Sequence, residues 1–150
     1  MAHIATIFGG TPSVIESVIN INQNLLITAA QEPTVKRFVY TSSSEAAVFS
    51  SFLEHDETKP AKITACTWND KAIERVQDAT SPPTPKAGFD VYAASKTLGE
   101  QAIWQWVNES QPSFVVNTGK ISADSFFSTS MLTYYQKFCR LYALGHRSIL

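Results

Sequence analysis

The sequence predicts an α/β domain with a small parallel sheet and flanking helices. Short apolar runs are typical of buried strands, and two long segments carry apolar residues at helical spacing. The two kinds of segment alternate along the chain. A strand, a crossover helix and a second strand form one βαβ unit, which requires a parallel sheet. We expect about three strands in total.

Three apolar runs predict the strands. The first is HIATIF at 3–8, which ends in a Gly-Gly turn. The second lies within VKRFVYTSSS at 35–44, where β-branched and aromatic residues favour a strand and the run is too short for a helix. The third is SFVVNT at 113–118, which follows a proline that ends the preceding segment.

The segment between the first two strands predicts a helix over about 13–31, because its apolar residues recur at helical spacing. Ser13 and Glu16 have the spacing of a capping box, in which each side chain satisfies a backbone N–H of the first turn. Pro33 ends the pattern, because the residue before a proline avoids the α region.

Residues 45–90 show no sustained period, so we expect a long loop with a short helix at 71–77. A second long helix is predicted within 91–110 from its apolar face. We assign 1–118 to one domain and 119–150 to a divergent tail that is mostly helical. The tail is locally basic, and its helix either docks on the domain or binds a membrane surface or a partner.

Composition narrows the function classes. The chain has 150 residues and a net charge of −1, which produces no field that would attract nucleic acid or an anionic membrane. No stretch approaches the roughly 18 apolar residues of a membrane span, and the start has no signal-peptide pattern. The two cysteines and three histidines lack disulfide or metal spacing. We therefore expect a cytoplasmic protein without a metal site.

Polar side chains at the end of the second strand and in the second long helix form the candidate site. Residues 41–44 (TSSS) lie at the carboxyl end of a predicted parallel strand, where ligands bind in open α/β sheets. Tyr92 and Lys96 are predicted to open the helix, one turn apart on one face. Each feature also has a structural explanation, because serines can simply end a strand and a Tyr–Lys pair can simply be exposed. If the long loop crosses the sheet edge, the three side-chain types converge.

The sequence around these residues resembles the extended branch of the short-chain dehydrogenase/reductase superfamily. HIAT is similar to a strand end beside the cofactor, and PTVKRFVYTSSSEAAVF to the catalytic-serine strand of fungal dihydroflavonol-reductase-like aldehyde and ketone reductases. TWND and GFDVYAASKTLGEQAIWQWV resemble the substrate-side loop and the catalytic helix of that group. The resemblance covers roughly 3–118 and implies a partial Rossmann-like sheet within the NAD-dependent epimerase/dehydratase superfamily.

The resemblance implies reduction of an aldehyde or ketone, a small-molecule substrate, by hydride from NADP(H) or NAD(H), with NADP favoured. Tyr92 would donate the proton, and Lys96 would favour its phenolate and hold the nicotinamide ribose. Ser43 would orient the carbonyl oxygen; it is chosen by the family's TSS pattern, and Ser42 or Ser44 remains an alternative. The residues expected to bind the cofactor are Ala5, Thr6, Thr41, Tyr92 and Lys96.

The chain also departs from the family pattern. None of its six glycines forms the G-x-G-x-x-G turn that cradles a dinucleotide pyrophosphate, so we expect it to begin inside the cofactor domain and to be truncated at both ends. Two hypotheses follow: a reductase that uses Ser43, Tyr92 and Lys96, or a truncated, non-catalytic remnant that at most binds a partner. An unpaired sheet edge would favour self-association.

Overall fold

A computed structural model of the protein describes residues 12–48, 63–64, 66–78 and 87–121. In chain order it contains helix α1 (Ser13–Gln31), strand β1 (Arg37–Ser43), a 3₁₀ turn (Ser44–Ala46), helix α2 (Asp70–Gln77), helix α3 (Ala87–Ser110) and strand β2 (Val115–Ile121). The strand predicted at 3–8 and the helix predicted in the tail lie outside the described residues. The α/β architecture predicted from the alternating pattern is confirmed.

Strands β1 and β2 are parallel neighbours, as the βαβ pattern predicts. Their register pairs Arg37 with Val115 at one end and Ser43 with Ile121 at the other. Strand β2 therefore runs three residues past its predicted end at Thr118, because pairing with β1 continues through the serines. The carboxyl ends of both strands lie at one edge of the sheet, which brings the TSSS segment beside the end of β2.

Helices α1 and α3 cover one face of the sheet. Their contact with the strands builds a core around Leu26, Ile103 and Phe114, against which Phe38 and Tyr40 of β1 pack. The side chains of β1 alternate, so that Val39 faces the other way and is 64% exposed. In the described part of the chain the sheet thus has one covered face and one open face.

The two long helices approach closely at Gly99. A Cβ added there would lie 2.9 Å from Val18 Cγ1 and 3.1 Å from Asn22 Nδ2, so any larger residue would push α1 away. The Asn22 side chain also donates to the Gly99 carbonyl oxygen at 3.3 Å. This close approach fixes the position of α3, the helix that carries Tyr92 and Lys96.

Two predictions about helix ends were wrong. Ser13 does not cap α1: it is the first helical residue, and the N-cap is Pro12, which already has helical φ and ψ and makes no side-chain cap hydrogen bond. Tyr92 and Lys96 do not open α3, which begins at Ala87 and so places them in its second and third turns. Phe89 packs against Tyr92 one turn later, with ring centroids 6.3 Å apart, and this contact favours the longer helix.

The other helix predictions hold. Helix α2 begins where Asn69 caps it by accepting from the Ala72 N–H at 3.2 Å. Helix α3 ends before Pro112, with Gln111 in the left-handed region at a φ of 46° and its N–H bonded to the Val107 carbonyl oxygen. None of the helices described here has the length and apolar character needed to cross a membrane.

Candidate active site

Helix α3 presents Tyr92 and Lys96 on one face, because residues four apart on a helix are neighbours. The Lys96 Nζ atom lies 5.8 Å from the centroid of the Tyr92 ring. It also lies 5.7 Å from the centroid of the Tyr40 ring, which β1 contributes. The ammonium group thus lies near two aromatic rings from two different elements.

The surroundings of Lys96 disfavour the charged form of its side chain. The side chain is half-buried, and desolvation lowers the pKa of its ammonium group. No aspartate or glutamate in the described ranges forms an ion pair with it. The faces of aromatic rings attract cations at these distances, so the two tyrosines compensate part of the lost hydration.

Tyr40 is a partly buried tyrosine whose hydroxyl oxygen is shielded from solvent. Its pKa is raised to about 12, mainly by burial, with smaller contributions from the charge of Glu100 and from Tyr92. The Asn22 side chain offsets part of that rise, but its geometry does not make a hydrogen bond to the hydroxyl. The Tyr40 hydroxyl has no hydrogen-bond partner among the described residues.

Glu100 joins α3 to the carboxyl ends of both strands. Its carboxylate is fully buried and accepts from Ser42 Oγ at 2.6 Å and from Thr118 Oγ1 at 3.0 Å. Both distances are typical of hydroxyl donors to carboxylate or carbonyl oxygens. Because Ser42 donates to Glu100, its hydroxyl points into the domain rather than towards a ligand.

Ser43 and the 3₁₀ turn that follows it are held by hydrogen bonds that do not involve Glu100. The Ser43 hydroxyl oxygen accepts from the Glu45 N–H at 3.3 Å, which leaves its own proton able to be donated. The turn is anchored by Asn69, whose side chain donates to the Glu45 carbonyl oxygen at 2.9 Å and whose N–H donates to the Ala46 carbonyl oxygen at 3.1 Å. The TWND segment thus fixes the turn that follows the serine strand.

The structure places the predicted residues as follows. It brings Tyr92 and Lys96 together on α3, and it places Thr41 and Ser43 at the carboxyl end of β1, Thr41 exposed and Ser43 buried. Ala5 and Thr6 lie outside the described residues. No group of histidine, cysteine or acidic residues that could hold a metal ion occurs in the ranges described.

Sequence reasoning missed three residues of this region: Tyr40, Asn69 and Glu100. An asparagine directly before a helical pattern is a cap signal, so Asn69 was detectable. Glu100 lies four residues after Lys96 on the same helix, and a carboxylate there suggests a solvated face rather than a buried link. Tyr40 shares a strand face with Phe38 and Ser42, but alternation alone does not reveal its contact with Lys96.

A parallel strand pair joined through α3, with hydroxyl and amine side chains near the carboxyl ends, is the βαβ unit from which Rossmann-type nucleotide-binding domains are built. The sequence model of the NAD-binding Male sterility protein family matches residues 15–146. The chain belongs to this NAD-binding family.

Two fungal proteins illustrate the relationship. NAD-dependent epimerase/dehydratase terH of Aspergillus terreus is 42% identical over 123 residues, which cover 79% of this chain and 34% of that protein. Aldehyde reductase 2 of Sporidiobolus salmonicolor is 33% identical over 121 residues, which cover 78% of this chain and 34% of that protein. The chain thus spans about a third of the length of the curated relatives it matches.

A solved structure shows the same fold. A reductase engineered to attenuate substrate inhibition in asymmetric catalysis superimposes with a TM-score of 0.56 at 21% sequence identity, covering 81% of this chain and 34% of that one. The predicted resemblance to NAD-dependent epimerase/dehydratases and reductases is confirmed by these matches. Placement in a dihydroflavonol-reductase-like group stays a prediction.

Proposed function

We propose that the protein is an oxidoreductase of small carbonyl compounds, reducing an aldehyde or ketone with a nicotinamide cofactor. The observation that carries the proposal is the Tyr92–Lys96 pair on α3 in a chain of an NAD-binding family. The helix that carries the pair contacts β1 through Lys96 and Tyr40, and bonds Ser42 at the end of that strand through Glu100. Relatives named as an epimerase/dehydratase and an aldehyde reductase support this class over a non-catalytic remnant.

The donor groups suit a nicotinamide nucleotide. The Lys96 ammonium has three N–H donors and, in the described ranges, no carboxylate partner, so it can bind the ribose hydroxyls. Thr41 offers an exposed hydroxyl at the same sheet edge. When bound, the cofactor supplies the hydride.

The side chains have separate tasks in this proposal. Tyr92 donates its phenol proton to the carbonyl oxygen, and the nearby Lys96 cation stabilises the phenolate that remains. Ser43 donates a hydrogen bond that orients the same oxygen. The bond from Ser42 to Glu100 supports Ser43 as the orienting serine, because it occupies the proton of Ser42.

Several finer points are proposals as well. NADP is favoured over NAD on the resemblance alone. A cytoplasmic location and self-association through the sheet edge are also proposed, the second because β1 and β2 pair only with each other in the described part of the chain.

Cofactor binding is the first test. The purified chain is titrated with NADPH and, separately, with NADH, and the fluorescence of the reduced nicotinamide is followed. We expect saturable binding in the micromolar range, tighter for NADPH. Lys96→Met should weaken it about ten-fold or more, because charge-assisted hydrogen bonds are lost. Lys36→Met is the control, since Lys36 is exposed and the described contact of its side chain is a hydrogen bond to the nearby Pro33 carbonyl oxygen.

The acid is tested by Tyr92→Phe, which keeps the ring beside Lys96 and removes the proton. Turnover of aldehyde or ketone substrates should fall by roughly 100-fold or more, with cofactor affinity little changed. Turnover retained by this variant would overturn the acid assignment. A wild-type chain that binds neither nucleotide would instead support the remnant hypothesis.

A further inference from the structure

We propose that Tyr40 is a positioning residue whose ring holds the Lys96 ammonium group beside Tyr92. This inference rests on the proposed function, because it assigns Lys96 a role at the cofactor. It adds to that function a residue of β1 that the Ser–Tyr–Lys set does not include.

The geometry places one cation near two rings. The Nζ atom of Lys96 lies 5.7 Å from the Tyr40 centroid and 5.8 Å from the Tyr92 centroid, both inside the roughly 6 Å range of cation–π attraction. A lysine side chain has four flexible bonds, and a single ring on its own helix would restrain it weakly. The second ring, on a different element, fixes the direction in which the ammonium group points.

Other attractions for this cation are absent from the described ranges. No carboxylate there forms an ion pair with Lys96, although the side chain is half-buried. A partly desolvated ammonium group without an ion pair gains more from aromatic faces than a fully exposed one does. The rings therefore supply attraction that neighbouring acids do not.

The ring of Tyr40, rather than its hydroxyl, carries this role. The hydroxyl has no hydrogen-bond partner in the described part of the chain. The side-chain amide Nδ2 of Asn22, which influences the Tyr40 hydroxyl, donates to the Gly99 carbonyl oxygen instead. Loss of the hydroxyl should therefore matter little to Lys96, whereas loss of the ring should release it.

The position of the Tyr40 ring is itself well supported. Tyr40 lies on β1 opposite Thr118 of β2 and packs against the core formed by α1 and α3. Lys96 lies one turn before Gly99, where the close approach of α3 to α1 fixes the position of the helix backbone. Through its contact with Tyr40, the position of the Lys96 ammonium group on α3 therefore depends on the position of the sheet.

The first measurement is independent of cofactor and substrate. Lysines of the full chain are reductively methylated with ¹³C, and the Lys96 methyl resonance is identified by its loss in Lys96→Arg. Aromatic faces shift such resonances upfield, so wild type and Tyr40→Phe should show an upfield Lys96 signal. In Tyr40→Leu the signal should move towards the position of the exposed lysines. An unmoved signal in Tyr40→Leu would overturn the proposal.

The second measurement concerns the cofactor and turnover. Tyr40→Leu should weaken NADPH binding or lower kcat by roughly ten-fold, and Tyr40→Phe should restore most of the loss. Phe38→Leu is the matched control, since it removes a ring from the same face of β1, where Phe38 packs against Phe114. An equal loss in Phe38→Leu would mean that ring removal acts through packing alone, and the proposal would fail.

The two proposals fail in different ways. If wild type binds no nicotinamide nucleotide, the proposed function is wrong, and the methyl resonance still decides whether Tyr40 holds Lys96. If wild type binds and turns over but Tyr40→Leu matches it in both assays, the function stands and the role of Tyr40 is rejected.

Discussion

Tyr40 and Tyr92 have the same side chain in different surroundings. Tyr40 lies on β1, and burial is the main reason that its pKa is raised to about 12. Its hydroxyl has no hydrogen-bond partner among the described residues. Tyr92 lies on α3 and, like Tyr40, is partly buried as a whole residue. A phenol that resists ionisation is a poor proton donor in catalysis, which argues against Tyr40 as the acid and leaves it the proposed role through its ring.

Tyr40→Phe should change the dependence of stability on pH. The folded-state pKa of Tyr40 lies above the usual value of 10.0, so its neutral form stabilises the fold fully below about pH 10, and this contribution is lost as pH rises towards 12. The loss is on the order of 2 kcal/mol. We expect wild type to lose that much more unfolding free energy than Tyr40→Phe between about pH 8 and about pH 12.

Urea unfolding of both proteins at several pH values measures this difference. Other tyrosines and lysines titrate equally in the two proteins and cancel in the comparison. At neutral pH the variant should be at least as stable as wild type, because it loses a buried hydroxyl without a partner. Parallel stability curves up to pH 12 would contradict the buried phenol.

Helix α3 and the two strands are joined through one carboxylate. Glu100 accepts from Ser42 on β1 and from Thr118 on β2, and all three side chains are buried. The link lies one turn after Lys96 and next to Ser43, so it also sets how far the helix residues stand from the serine strand. A buried carboxylate is tolerated here because two hydroxyls donate to it.

Glu100→Leu should destabilise the fold by roughly 2 kcal/mol or more, because it leaves two buried hydroxyls without their acceptor. Glu100→Gln should cost less, since an amide of the same shape can accept one bond and donate the other. Glu109→Leu is the control on the exposed part of the same helix and should stay within about 0.5 kcal/mol. Thermal unfolding checks the order; equal effects of both leucine variants would contradict the buried link.

Across the whole described domain, the sheet is covered on one side only. Helices α1 and α3 pack on one face, while Val39 on β1 is 64% exposed and Val115 on β2 is 44% exposed. Each strand also has one edge without a strand partner in the described ranges. Apolar side chains beside an open edge favour pairing with another copy of the chain.

Self-association should therefore increase with concentration and decrease in Val39→Lys, because a charged side chain on an edge strand opposes pairing. Leu25→Lys is the matched control: Leu25 is 42% exposed but lies on α1. Sedimentation velocity at low and high concentration measures both effects. A wild-type chain that stays monomeric at high concentration, or an equal effect of the control, would refute association through the sheet edge.

Local patterns sufficed for α1, α2, α3, the parallel β1–β2 pair and the Tyr92–Lys96 spacing, because periodicity and helix spacing are properties of neighbouring residues. They failed at the N-termini of α1 and α3. The start of α3 at Ala87 is supported by the Phe89–Tyr92 contact, and the missing cap at Ser13 follows from a proline that already has helical geometry.

The contacts at the site belong to the tertiary structure. Lys96 meets Tyr40, and Glu100 meets Ser42 and Thr118, through groups that lie far apart along the chain and on different elements. No period links such residues, and an acidic side chain on a helix normally suggests solvent. The sequence by itself predicted that hydroxyl, phenol and amine side chains occur at the candidate site. Which of these side chains face one another, and which are buried, depends on how α3 packs against the sheet.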